Sequence, residues 1–114
     1  MSLDLDLVID ACPRCGRGAE AVYSINITHN LTKIAKEAGV YYDIWRPEEV
    51  GVKEARNLII PLKEAIKKLK ADPDYFKRFE PENKWGTAEI FIKQLGELLE
   101  ACQTWPRARI ETDR

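Results

Sequence analysis

Leu3-Asp4-Leu5-Asp6-Leu7 constrains the fold more than any other stretch of this chain. Successive side chains on a strand point to opposite faces, so the leucines share one side and the aspartates the other. One side must therefore be buried against something, and the other is dressed for water. A turn follows from Cys12 to Gly18, with one proline and two glycines, and Ala21 to Ile27 then returns with β-branched and aromatic residues at period two. The two segments predict an antiparallel hairpin with Cys12 and Cys15 at its tip.

At Leu31 the period changes. Leu31, Ile34, Ala35 and Ala38 fall on one helix face, and Gly39 is placed to end the helix in a left-handed conformation. Thr28 or Asn30 is the expected N-cap. Tyr41 to Gly51 is aromatic and irregular and reads as a structured connection, with Pro47-Glu48-Glu49 suited to a short helical turn. Val52, Ala55, Leu58, Ile59, Leu62, Ile66 and Leu69 predict a helix of about five turns, in which Pro61 must cause a kink or a restart. Asp72 to Phe76 reads as a turn and Phe79 to Gly86 as a loop. Thr87 then caps a helix with Phe91, Leu95, Leu98, Leu99 and Cys102 on its core stripe. Ala108 to Thr112 alternates again, as a last strand does.

The expected architecture is an α+β fold in chain order β-β-α-α-α-β. The N-terminal hairpin and the C-terminal strand form a small antiparallel sheet, and three helices cover its leucine face. The 114 residues suit a single domain spanning 1–114. Apolar residues make up 45% and charged residues 32%, which is the balance of a chain that folds rather than one that stays disordered.

Eighteen Lys and Arg stand against 19 Asp and Glu, so general nucleic-acid binding is disfavoured. Arg14 and Arg17 on the cysteine hairpin keep a weak nucleic-acid module among the alternatives. No run reaches the roughly 20 apolar residues that span a bilayer, and Met1 to Asp6 lacks the basic start and apolar stretch of a signal peptide. A cytosolic protein is expected, without a membrane partner.

Cys12-Pro13-Arg14-Cys15-Gly16 has the form of half a zinc ribbon, in which two thiolates two residues apart grip one metal. A structural zinc site takes four ligands, so His29, Cys102 or a second chain would complete it. Two copies sharing a metal at the tip make a homodimer. Redox use of the pair is disfavoured because Gly16-Arg17-Gly18 does not start a helix. Cys102 falls on the apolar stripe of its helix and reads as a core residue.

His29 is the only histidine and sits in Asn26-Ile27-Thr28-His29-Asn30. As a general base it would need an orienting carboxylate and a pocket. Thr28 and the two asparagines alternatively build a hydrogen-bond network at a strand-to-helix junction. Trp45, Trp85 and Trp105 lie in connections, where large aromatics anchor loops or wall a cleft. A cleft joining Trp45 and Trp85 to Arg46, Asn83 and His29 would make a small-molecule or peptide pocket. The expected function is that of a non-enzymatic binding or interaction protein, with zinc a candidate at the hairpin tip. A small enzyme with His29 as base is the alternative.

Three segments carry a resemblance. They are Asn26 to Leu31, then Ala65 to Phe76 leading into Pro81-Glu82-Asn83-Lys84-Trp85-Gly86-Thr87, and finally Ala101-Cys102 with Trp105-Pro106 and Ala108. Together they resemble a family of small uncharacterised proteins from bacteria, their phages and archaea, over most of the chain from around Glu20. The resemblance implies a fold unit and a phage-related context and transfers no catalytic residue. It directs attention to His29, Asn30, Asn83 and Trp85 as a shared surface.

Overall fold

The computed structural model describes residues 2–9, 18–80 and 86–114. Strand β1 (Ser2–Ile9) lies between β2 (Glu20–Thr28) and β3 (Arg109–Asp113), and both neighbours run antiparallel to it. The α+β class and the sheet of hairpin plus C-terminal strand are as the alternation predicts. Leu3, Leu5 and Leu7 are wholly buried, and Leu3 pairs with Ile27, Leu5 with Ile25 and Leu7 with Tyr23. A bulge between Leu7 and Val8 shifts the ladder, so that Val8 faces Ala21.

The described helices are α1 (Thr32–Ala38), α2 (Tyr41–Trp45), α3 (Arg56–Ala71), α4 (Pro73–Lys77) and α5 (Ala88–Thr104). The expected three are α1, α3 and α5, while α2 and α4 are five-residue helices within the anticipated connection and turn. Asp72 explains α4, since its carboxylate accepts the Tyr75 N–H at 3.2 Å and Pro73 fills the first helical position.

Helix α3 starts at Arg56, one turn later than its apolar spacing predicts. The cause is local. The Asn57 side-chain oxygen accepts the N–H groups of Lys53 and Glu54 at 3.2 and 3.1 Å, holding them outside the helix. This segment runs beside β3, with Ala55 N–H donating to Ala108 and Arg56 N–H to Pro106, both at 2.8 Å. Pro61 lies inside α3, which runs unbroken from Arg56 to Ala71; its ring takes the place of one N–H donor, and the helix does not restart at Leu62.

Leu58, Leu62, Ala65 and Leu69 of α3 face Phe91, Leu95, Leu98 and Cys102 of α5 in one cluster with the leucines of β1. Glu89, Lys93, Glu97 and Glu100 of α5 lie on its exposed side, as the stripe predicts. Thr87 caps α5 by accepting the Ile90 N–H at 3.2 Å. Gly39 ends α1 with φ of 79°, the left-handed conformation that a Cβ disfavours. No helix among the described residues is long and apolar enough to cross a membrane.

Candidate functional site at the strand-to-helix junction

The end of β2 is also the start of α1, and Thr28 organises the change. Its hydroxyl accepts the Asn30 N–H at 3.3 Å, and a 3-10 turn over His29–Leu31 leads into the helix. Thr32 continues the network by donating its hydroxyl to the His29 carbonyl at 2.9 Å. Leu31 is fully buried and pins the turn to the core, so His29, Asn30 and Lys33 are carried on its outer side.

A second segment meets the turn from the end of α4. Phe76 is buried, and the Tyr75 hydroxyl donates to the Glu37 carboxylate of α1 at 2.9 Å, which ties the short helix to α1. The Tyr75 ring also contacts Phe79 edge to face, with centroids 5.4 Å apart. Arg78, Phe79 and Glu80 are thereby set beside the junction.

Between the two segments is a cavity of about 510 Å³. His29, Asn30, Thr32 and Lys33 line one side, and Arg78, Phe79 and Glu80 the other. That volume is within the range of small-molecule sites, roughly 300–1,000 Å³. The Nε2 atom of His29 is buried and has no hydrogen-bond partner among the described residues. An orphaned polar atom of this kind costs about 1–3 kcal/mol. Lys33 and Arg78 have no acidic partner among the described residues; the Arg78 guanidinium instead lies 5.8 Å from the centre of the Tyr75 ring. The Glu80 carboxylate is engaged elsewhere, accepting the Ala88 N–H at the start of α5 at 2.9 Å.

Gly86 docks against the same junction. A Cβ at this position would lie 3.0 Å from Leu31 Cδ2 and 3.2 Å from Thr28 Cγ2, so only a glycine allows this approach without displacement.

The other sequence candidates separate from this cavity. Asn26 lies on the open face of the sheet, where its side chain donates to Ser2 Oγ at 2.8 Å and Asp4 Oδ1 at 2.7 Å, and its carbonyl accepts from Gln94 at 3.1 Å. Trp45 is buried in the core, stacked on Tyr41 at 5.6 Å and 6.4 Å from Phe91, and does not line the cavity. Arg46 is partly exposed and paired with Glu49 at 3.2 Å. Trp105 borders a different groove with Tyr23 and Glu97. Asn83, Trp85, Cys12 and Cys15 lie outside the described residues.

His29 follows Thr28, whereas the connection carrying Cys12 and Cys15 joins β1 to β2 at Ile9 and Glu20. At about 3.3 Å per residue, the nine residues of β2 put roughly 26 Å between the two ends. His29 therefore follows the end of β2 that is remote from Glu20. Cys102 is wholly buried in α5, and burial pushes its thiol up to about 12, so it stays protonated and unreactive. Among the described residues, no three His, Cys, Asp or Glu side chains group as a metal site.

Lys33, Arg78, Phe79 and Glu80 were not signalled as site residues. The four-residue step from His29 to Lys33 on a helix start is a faint local cue. The approach of 78–80 is tertiary, following from the burial of Phe76 in the core with the Tyr75–Glu37 hydrogen bond beside it, and has no counterpart in spacing along the chain. No protein-family model, curated protein or solved structure matches the chain.

Proposed function

We propose that this chain is a cytosolic, non-enzymatic binding protein whose ligand site is the cavity at the junction of β2 and α1. The supporting observation is the convergence on one cavity of the sole histidine, its buried Nε2 unpartnered among the described residues, and two cationic side chains that have no acidic partner there either. A bound molecule with a suitable polar atom would recover the hydrogen bond that His29 lacks. Because Nε2 is covered by protein atoms, binding is coupled to a small side-chain rearrangement. The enzymatic alternative is less well supported, since no carboxylate is hydrogen-bonded to the His29 ring among the described residues. The test is a screen of small polar fragments, followed through the two ring signals of the single histidine and the amide signals of 29–33 and 78–80. Saturable shifts confined to these groups support the reading. Fragments that bind elsewhere, with the junction unmoved, refute it.

A second reading concerns the hairpin tip. The β1–β2 ladder, which runs from Ser2 opposite Thr28 to Ile9 opposite Glu20 with one bulge, supports a connection at the end of the sheet. There, two copies would share zinc through Cys12 and Cys15, with four thiolates completing one site. Native mass spectrometry with metal analysis tests it: a zinc-containing dimer supports the idea, and a metal-free monomer removes it. The phage-related context rests on the resemblance of the three quoted segments alone.

A further inference from the structure

We propose that the junction cavity takes a small anionic molecule, its phosphate or carboxylate group held by Lys33 and Arg78 and its less polar body against Phe79. This rests on the reading of that cavity as the ligand site. Two cations and one acid line the cavity, leaving it one positive charge in excess. Lys33 and Arg78 come from different elements, both are exposed enough to reorient, and neither has an acid to neutralise it among the described residues. Two like charges brought to one cavity repel each other, and an anion between them turns that repulsion into attraction. The one acid lining the cavity, Glu80, forms no salt bridge with either cation among the described residues; its Oε1 accepts the Ala88 N–H, and its single negative charge offsets only one of the two positive ones. Asn30, whose side chain has no hydrogen bond among the described residues, supplies an uncharged donor, and His29 a second polar group. Phe79, held by Tyr75, provides the apolar surface that a bare inorganic ion would leave unused.

The experiment titrates the whole chain with inorganic phosphate, with acetate and with acetamide as the neutral counterpart, at constant ionic strength, reading the His29 ring, Lys33 and Arg78 signals. Saturation by phosphate or by acetate, but not by acetamide, is expected, and which anion binds tighter identifies the ligand's charged group. Arg78→Gln and Lys33→Gln should each weaken binding by about fivefold or more. Glu80→Gln keeps an oxygen for the Ala88 N–H while removing the negative charge, so it should tighten anion binding severalfold. Saturation by acetamide alone, or anion affinity unchanged in all three variants, overturns the anionic assignment and leaves the cavity reading standing. If no probe or fragment moves the junction signals, both fall.

Discussion

Gly86 and Gly96 set up a matched substitution with opposite expected signs. A methyl group added at Gly86 would lie 3.0 and 3.1 Å from Leu31 Cδ2 and Cγ and 3.2 Å from Thr28 Cγ2. Carbon atoms rest at about 3.5–4.0 Å, so all three contacts are compressed. Leu31 is wholly buried and yields only into the core. Overpacking of this kind costs about 1–3 kcal/mol, against which the stiffer unfolded chain returns about 0.4–1, leaving a net loss of roughly 1–2 kcal/mol. Gly96 lies within α5 with nothing inside 4 Å of its Cβ position. Alanine there should stabilise by about 0.5–1 kcal/mol through helix propensity. Neither glycine has a positive φ, so backbone strain enters neither prediction.

With an unfolding entropy of about 2.1 cal/mol/K per residue, this 114-residue chain shifts its Tm by roughly 4 °C per kcal/mol. Gly86→Ala should therefore melt about 4–8 °C below the parent and Gly96→Ala about 2–4 °C above it. Circular dichroism melts and urea titrations read both, with unchanged urea slopes confirming that the folded state is affected. A Gly86→Ala protein as stable as the parent would refute the close docking of residue 86 on Leu31 and Thr28.

Three further outcomes are expected. Thr87→Ala removes the cap of α5 and should cost about 1 kcal/mol in urea denaturation, with no loss meaning that the Ile90 N–H finds another acceptor. Cys102, with its thiol pushed up to about 12 by burial, should resist iodoacetamide in the folded protein and be alkylated in denaturant, as read by peptide mass mapping; rapid native alkylation would contradict its burial. The Glu48 carboxyl is held below its usual range mainly by the hydrogen bond from Arg114, at 2.6 Å. A carboxyl with a lowered folded-state pKa stabilises above its unfolded value and loses that contribution as pH falls through the lowered one. In Arg114→Ala, the Glu48 carbon signal should titrate at a higher pH; an unchanged midpoint would remove Arg114 as the cause.

The layers of the fold were legible because period two and period 3.6 are written into different segments. Leu3, Leu5 and Leu7 gave the buried sheet face, Gly39 the end of α1, and Thr87 the start of α5. Misplaced detail has local causes. Asn57 competes for the N–H groups of Lys53 and Glu54 and delays α3, although Val52 and Ala55 keep the apolar spacing of a helix and are buried. Half the candidate site was visible in the same way. His29, Asn30 and the capping Thr28 stand together in the chain and at the junction. Lys33, Arg78 and Glu80 carry no motif, because charged residues near helix ends usually serve solvation, and only the tertiary placement of the segment after α4 beside the start of α1 makes these three converge. Trp45 shows the reverse case, an aromatic in a connection whose stacking on Tyr41 takes it into the core.

A crystal structure of the protein soaked with inorganic phosphate or with the best-binding fragment would show whether the junction cavity is a ligand site. Ligand density is expected in the cavity between Lys33 and Arg78, with a polar ligand atom or its bridging water within hydrogen-bond distance of a His29 ring nitrogen. Density confined to other surfaces, with a protein group hydrogen-bonded to Nε2 and the space between 29–33 and 78–80 closed, would contradict it.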